Sequence, residues 1–543
     1  MLDEQAEKER GEGKDNAPPI DMPDEQLQEE SRSTPKQKKR KLKHKDEGNA
    51  DSTREKHTKE IPTEIDEISK RLESEIGYKT SFDVVVREMT FGKKRTLLLC
   101  MNGLVSEDLL TEILKRLSYL QSDDMSSDAL HSFFQLYVPA SQVRLENDWN
   151  KMLTGALSGV TALFMEGEAT ALMIDAKKFP GRGPEEPSLE KVVRGSRDGF
   201  VETLMVNISL VRRRLRDPQL RYEIMQVGDR TQTDVCIAYI DDIVDKKMLE
   251  SIKSKIKMVK IDGLPLADKQ LEEATVKRGF SPFPLVRYSE RPDTVSAHLL
   301  EGCIAIFVDT SPSVMTLPTT YADLVQHAEE NRQTPFIGTY LRWVRFFGIF
   351  ASLFLLPLWL LFVLHPELKP MALEFIGPTK TGKLPLLVQF LLAEIGVDLL
   401  RMASVHTPTS LATAMSLVAA ILIGDIAVKT GIFINEVILY MAIAAIGMFA
   451  TPSYELGLAN RIVRLVLIIA VSAFGVPGFV VGTTGIMLML ICERSFNRPY
   501  FWPIIPFDLN ALWGIMVRKP VLYNRSRPII LKTQQQERMP QTD

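Results

Sequence analysis

Residues 346–364 (FFGIFASLFLLPLWLLFVL) carry no charge, and Arg342 and Arg345 stand directly before them. A bilayer's hydrocarbon core, about 30 Å thick, is crossed by about 20 apolar residues in helix, so this run reads as a membrane crossing. Further apolar blocks at 411–428, 431–451 and 465–492 extend the expectation to four spans. Nothing before residue 345 resembles them. The fold class expected is an α/β cytoplasmic region of two similar subdomains followed by an all-α polytopic transmembrane bundle.

Cationic residues flank the apolar blocks on both sides: Arg342 and Arg345 before the first, Arg494, Arg498, Arg518, Lys519, Arg525 and Arg527 after the last. Positive charge stays on the cytoplasmic side, so both termini are expected there and the number of crossings is even. Two features resist. Arg461 and Arg464 would then lie on the outer side. The block 465–492 would also be about 42 Å of helix, so it must tilt or break at Gly475-Val-Pro-Gly478.

The net charge of −3 averages a polar half and an apolar half and identifies no partner. Cys100, Cys236, Cys303 and Cys492 are scattered and no secretory signal precedes them, which reads as reduced cysteine rather than a disulfide frame or a zinc site. Residues 1–64 are charged and nearly free of aromatics, and they read as a disordered tail. Its basic run 36–45 suits anionic lipid better than nucleic acid, and a merely solvated tail is the plainer reading.

Between residues 80 and 320 the chain repeats itself. Alternating strands at 82–89 and 96–101 lead into a helix at 107–117, and strands at 220–227 and 233–240 lead into a helix ending near 256. Met101, Asn102 and Val105 match Ile240, Asp241 and Val244 at constant offset. A second echo sets Phe164-Met-Glu-Gly167, running on to Asp175, against Leu299-Leu-Glu-Gly302, running on to Asp309. Such self-similarity argues for a duplicated α/β subdomain. Neither copy shows a nucleophile elbow, a zinc helix or a dinucleotide fingerprint, and Asp175 and Asp309 read as turn formers. The loop Gly377-Pro-Thr-Lys-Thr-Gly-Lys383 matches a phosphate loop until Leu384, where Ser or Thr is needed, and is a chance match. No enzyme activity and no cofactor are expected.

The candidate functional residues lie elsewhere. On the segment 385–401, read as a short re-entrant or interfacial helix, Glu394, Asp398 and Arg401 share one stripe. Carboxylates at membrane depth are costly and usually face a cavity, which makes Glu394, Asp398, Asp425 and Glu436 candidates for an ion pathway. The competing readings are a polar stripe in the headgroups or an Asp398–Arg401 pair. Gly478, Gly482 and Gly485 are helix-packing candidates. Arg212, Arg213, Arg214 and Arg216 end a helix, where they either suit its dipole or contact an anion or a partner.

Several stretches resemble the GerA family of spore germination proteins, A-subunit type: Val193-Arg-Gly-Ser-Arg-Asp-Gly-Phe-Val-Glu202, Asn207, Arg212-Arg-Arg-Leu-Arg-Asp-Pro218, Pro282-Phe-Pro284, Glu290-Arg-Pro-Asp293, Leu299-Leu-Glu-Gly302 and Pro452-Ser-Tyr-Glu-Leu456. Residues 308–315, 327–335 and 340–345 resemble the family's stage V sporulation branch most. The resemblance implies the inner membrane of a bacterial spore, a two-part cytoplasmic domain, and homo-oligomerisation into a channel that releases cations during germination. Other germination membrane proteins and the lipid bilayer are the implied partners, with no nucleic acid. In that branch the implied role is to amplify germination. A non-conducting receptor or scaffold subunit is the alternative. The expected domains are a tail (1–64), two α/β subdomains (65–190 and 191–335), the transmembrane bundle (336–500) and a basic cytoplasmic C-terminal tail (501–543).

Overall fold

The computed structural model describes residues 59–538 except 120–141, 179–186, 188–189, 277–280, 375–376, 379–381, 407–425, 521–522 and 524. The tail expected over 1–64 lies outside the described residues up to residue 58, as does most of the span expected at 411–428.

Two antiparallel five-stranded sheets share one topology. The first runs β1 (Val84–Phe91), β2 (Lys94–Met101), β4 (Thr161–Met165), β5 (Ala171–Ile174), β3 (Val143–Glu146). The second runs β6 (Leu220–Val227), β7 (Thr233–Ile240), β9 (Ile304–Val308), β10 (Val314–Leu317), β8 (Arg287–Ser289). Helices repeat in step. α1 (Ile65–Ile76) and α2 (Glu107–Ser118) recur 139 residues later as α4 (Leu204–Arg214) and α5 (Lys246–Lys257). α3 (Trp149–Leu157) recurs 143 residues later as α7 (Pro292–Glu301), after α6 (Ala267–Thr275). Pairing obeys the same shift: Arg144 lies opposite Met173, and Arg287 opposite Thr316.

Period two explains the layering. In β2, Leu97, Leu99 and Met101 pack under α1 and α3, while Leu98 packs under α2 with Ile113 and Leu117. In β7, Cys236, Ala238 and Ile240 face α4 and α7, while Val235, Ile237 and Tyr239 face α5 and α6. Each module is a sheet covered on both faces.

The second echo is out of register. Thr96 pairs with Met165 and Val235 with Val308, so Glu166, not Asp175, is the counterpart of Asp309. Glu166-Gly167 is a hairpin turn, whereas Glu301-Gly302 ends a helix. Both glycines sit at positive φ, 87° and 101°, which serves either purpose.

The helical half comprises α8 (Pro335–Leu364), α9 (Leu386–His406), α10 (Asn435–Phe449), α11 (Tyr454–Phe474) and α12 (Val476–Cys492). Among the described residues, α8 and α11 are long and apolar enough to cross a membrane, and α10 and α12 are shorter apolar helices. The single span expected at 465–492 is instead two helices. Gly475, at φ 59°, ends α11 and begins α12, and α12 folds back on α11. The short helix expected near 385–401 runs on to His406, 21 residues in all.

No boundary separates the second module from these helices. One apolar core continues from Val235, Ile237 and Met315 into Ile349, Leu456, Val463 and Leu467. The C-terminal segment is not a free tail. After α13 (Leu509–Met516), Gln534 donates its backbone N–H to Ile243 (2.9 Å), as Lys178 does to Leu104, the counterpart of Ile243 in the first module. Arg527 reaches the Leu300 carbonyl (2.8 Å) and Arg538 the Glu301 carboxylate (2.6 Å). Residues 527–538 complete the second module.

Candidate functional site

Five charged side chains gather where α9 meets α11. Glu394, 1% exposed, lies 2.6 Å from the Arg464 guanidinium, and Arg461 Nε stands 2.9 Å from its other oxygen. Arg461 also donates to the Glu394 carbonyl and to Asp398. Asp398 lies 3.4 Å from Arg401, one turn further along α9. Arg464 ties the group to α8 by donating to the Ser352 carbonyl (2.6 Å). Three arginines thus meet two carboxylates between α9 and α11, with α8 joined through a backbone carbonyl.

Glu394, a candidate for an ion pathway, is paired with two arginines inside the bundle, and Asp398 and Arg401 lie along the same side of α9. The pairing Glu394 has is the one an apolar bundle demands: an isolated carboxylate there would cost several kcal/mol, and two arginines with backbone acceptors offset that cost. It also answers the misplacement of Arg461 and Arg464, which are buried at 3% and 1% exposure rather than held in an outer loop. The signal was present in the sequence. Two acids four apart on α9 and two arginines three apart on α11 each occupy one face. Asp398, with a side chain 36% exposed, is the cluster's open edge.

The other candidates are dispersed. Asp425 lies outside the described residues. Glu436 is half-buried in the first turn of α10, where a carboxylate suits the helix dipole. Gly478 and Gly482 pack within the chain: a Cβ on Gly478 would stand 2.0 Å from the Ala470 carbonyl, and one on Gly482 would stand 2.8 Å from Leu467. Gly485 meets nothing within 4 Å. A second close crossing was missed, at Gly348 and Gly447, where α8 and α10 approach backbone to backbone.

The four arginines near 212 divide. Arg212, 2% exposed, joins the two modules: its guanidinium donates to Asp83 (2.8 Å) and to the Leu220 carbonyl (3.0 Å) and lies over the Tyr222 ring. Arg214 caps α4 through the Leu210 carbonyl (2.8 Å) and holds the Arg194–Asp198 loop through Ser196 (2.9 Å). Despite burial, which acts upward, the bonds from Arg214 and Ser196 hold the Asp198 carboxyl below its ordinary range. Arg213 and Arg216 are exposed.

The junction with the helical half is also built from charge. Glu330, on the short helix Ala328–Arg332, is buried between Arg342 (2.9 Å) and Arg345. Arg342 further donates to the carbonyls of Gly514 and Ile515. The arginines that signalled the first apolar run are therefore internal ion-pair members. Lys269 on α6 bridges Glu272 (2.8 Å) and Glu455 at the start of α11 (2.9 Å). A cavity of about 380 Å³ lies alongside, walled by Tyr288, Arg401, Thr451 and Tyr454.

A duplicated antiparallel α/β module, one copy of which is continuous with apolar helices long enough to cross a membrane, defines the class. The family described as Bacillus/Clostridium GerA spore germination protein matches residues 70–530, and the chain belongs to that family. It is 46% identical to stage V sporulation protein AF of Bacillus subtilis (strain 168) over 86% of this chain and 94% of that protein. It is 30% identical to spore germination protein KA of the same organism, over 84% of each. The N-terminal domain of the A subunit of the Bacillus megaterium spore germinant receptor GerK3 is similar over 47% of this chain and 96% of that domain, at 26% identity and a TM-score of 0.38.

Proposed function

We propose that this germination protein is a subunit of an oligomeric cation channel of the spore inner membrane, with both termini cytoplasmic, acting in or amplifying the release of ions. The observation that carries the reading is the charge cluster. It sets two carboxylates inside an apolar bundle, and its outer member, Asp398, keeps a third of its side chain open. Intramembrane ionisable groups are retained at such cost where ions or protons pass. The exposed apolar surface of α8, α11 and α12, including Phe347, Ile462 and Val481, supports contact with lipid or with further copies. The reading includes no catalytic step and no cofactor, and its partners are other germination membrane proteins.

The full chain reconstituted in vesicles tests this directly. Expected is a cation flux that Asp398→Asn alters in selectivity or rate while the protein stays folded. Absence of flux from the unmodified chain overturns the channel and favours a receptor or scaffold subunit. The continuity of the second module with the helical half supports that second reading.

A further inference from the structure

The second module is closed by a segment that comes from elsewhere in the chain. In the first module the residues after β5 lie along the turn before α2: Lys178 donates its N–H to Leu104, and Lys177 pairs with Val105 across an isolated bridge. They pass over Gly159, where a Cβ would stand 3.4 Å from Lys177. The 143-residue shift carries Lys177 and Lys178 to Thr320 and Tyr321, which turn away instead, Tyr321 donating its N–H to the Tyr500 carbonyl (2.9 Å). Thr533 and Gln534 take the place. Gln534 meets Ile243, and a Cβ on Gly302, the counterpart of Gly159, would stand 2.3 Å from Thr533.

Residues 525–538 are a unit in their own right. The segment closes on itself: Ser526 bridges Glu537, Arg527 donates its N–H to the Gln536 carbonyl (2.8 Å), and Arg538 donates its N–H to the Arg525 carbonyl (2.7 Å). The Arg527 guanidinium fills the middle, reaching the carbonyls of Gln535 (3.0 Å) and Glu537 (2.6 Å). This is the build of an Ω-loop, whose ends meet and whose own side chains pack it. The five strands β6–β10 pair with one another without it, and among the described residues none of its side chains enters the module's apolar cores. Arg527, Leu531 and Thr533 are buried, and most of its other residues are exposed.

The loop stands against an ion pair. Arg498, in the hairpin 494–499 that follows α12, is buried, pairs with Asp245 at the N-cap of α5, and donates to the Leu531 carbonyl (3.2 Å). The pair ties the end of α12 to the second module, and it holds firmly only while water is kept from it, because the same charges attract far less in water. We infer that residues 525–538 are a detachable latch: a preformed loop that docks on the turn 241–245 and the end of α7 and, while seated, keeps the Arg498–Asp245 pair dry. Its remaining contacts suit release. Gln534 donates its side-chain amide to the carbonyls of Asp241 (3.0 Å) and Val244 (2.7 Å), Arg527 reaches the Leu300 carbonyl, and Arg538 the Glu301 carboxylate. Polar contacts of this kind exchange for bonds to water at small net cost. Release therefore leaves β6–β10 folded and loosens α12 from the module.

The test uses the full chain in detergent. Arg527→Ala with Leu531→Ala removes two of the buried anchors. Expected by hydrogen exchange is opening about tenfold or more faster at 241–247 and 493–500, with β6–β10 as protected as before. Arg538→Glu, which sets a carboxylate against Glu301, should give a smaller rise in the same two regions. The free peptide 525–538 (RSRPIILKTQQQER), added in excess to the double variant, should restore the protection, and a scrambled peptide should not. Loss of protection throughout β6–β10 overturns the inference, because the segment would then be part of the module's fold. Unaltered exchange at 241–247 and 493–500 in both variants overturns it too, as does failure of the free peptide to restore protection.

Discussion

At the scale of single residues, the buried arginines do the joining. Arg212 and Asp83 are both nearly excluded from water, so removing one strands the other. Arg212→Met should cost about 3–5 kcal/mol, while Arg212→Met with Asp83→Leu should recover most of it, because an apolar pair removes both desolvation costs. Thermal unfolding of the full chain in detergent measures both. His327 supplies a pH dependence. Its Nδ1 accepts the Glu329 N–H (3.2 Å), and burial, together with Arg345 and Arg287, pushes its pKa down from 6.5 to about 4. The folded state therefore prefers the neutral ring, and the stabilisation is whole above about pH 6.5 and fades as pH falls toward 4. His327→Gln should flatten the melting temperature against pH across that window; an unchanged slope would remove His327 as its source.

At the scale of elements, the strands and the 139-residue shift were legible because alternation and buried runs leave a strong period-two signature. The second echo failed because Glu-Gly fits a hairpin turn and a helix end equally well. The break at Gly475 was legible only as one of two options, since length demanded either tilt or a turn. What covers the last arginines was not legible, because Arg518 and Arg527 reach backbone carbonyls, and every segment of a chain offers those. The α11–α12 hairpin yields a clear contrast. Gly478→Val places a side chain against the Ala470 carbonyl and should destabilise the protein by about 1–3 kcal/mol, whereas Gly485→Ala should fall within about 0.5 kcal/mol of the unmodified chain.

At the scale of the molecule, the two modules differ in what they are fastened to. The first has its own cores around Trp149 and Leu163, while the second shares one with α8, α11 and α12. Hydrogen exchange should show β1–β5 opening as a unit at lower free energy than β6–β10, which should open only with the helices. Lys269→Ala, by cutting the link between Glu272 and Glu455, should lower the protection of α6 and of the start of α11 together; loss confined to α6 would show the link to be incidental.

The segment around Gln534 has a consequence for how the protein is made. A ribosome delivers β6–β10 long before it delivers the residues that satisfy Ile243 and Leu300, because the entire helical half is synthesised between them. The first module can reach its final form while translation continues. The second must wait, its contacts at Ile243 and Leu300 unmade, until the helices have left the exit tunnel and residues 527–538 have come back to it. Removing residues 527–538 would then be felt in a module encoded near the middle of the chain.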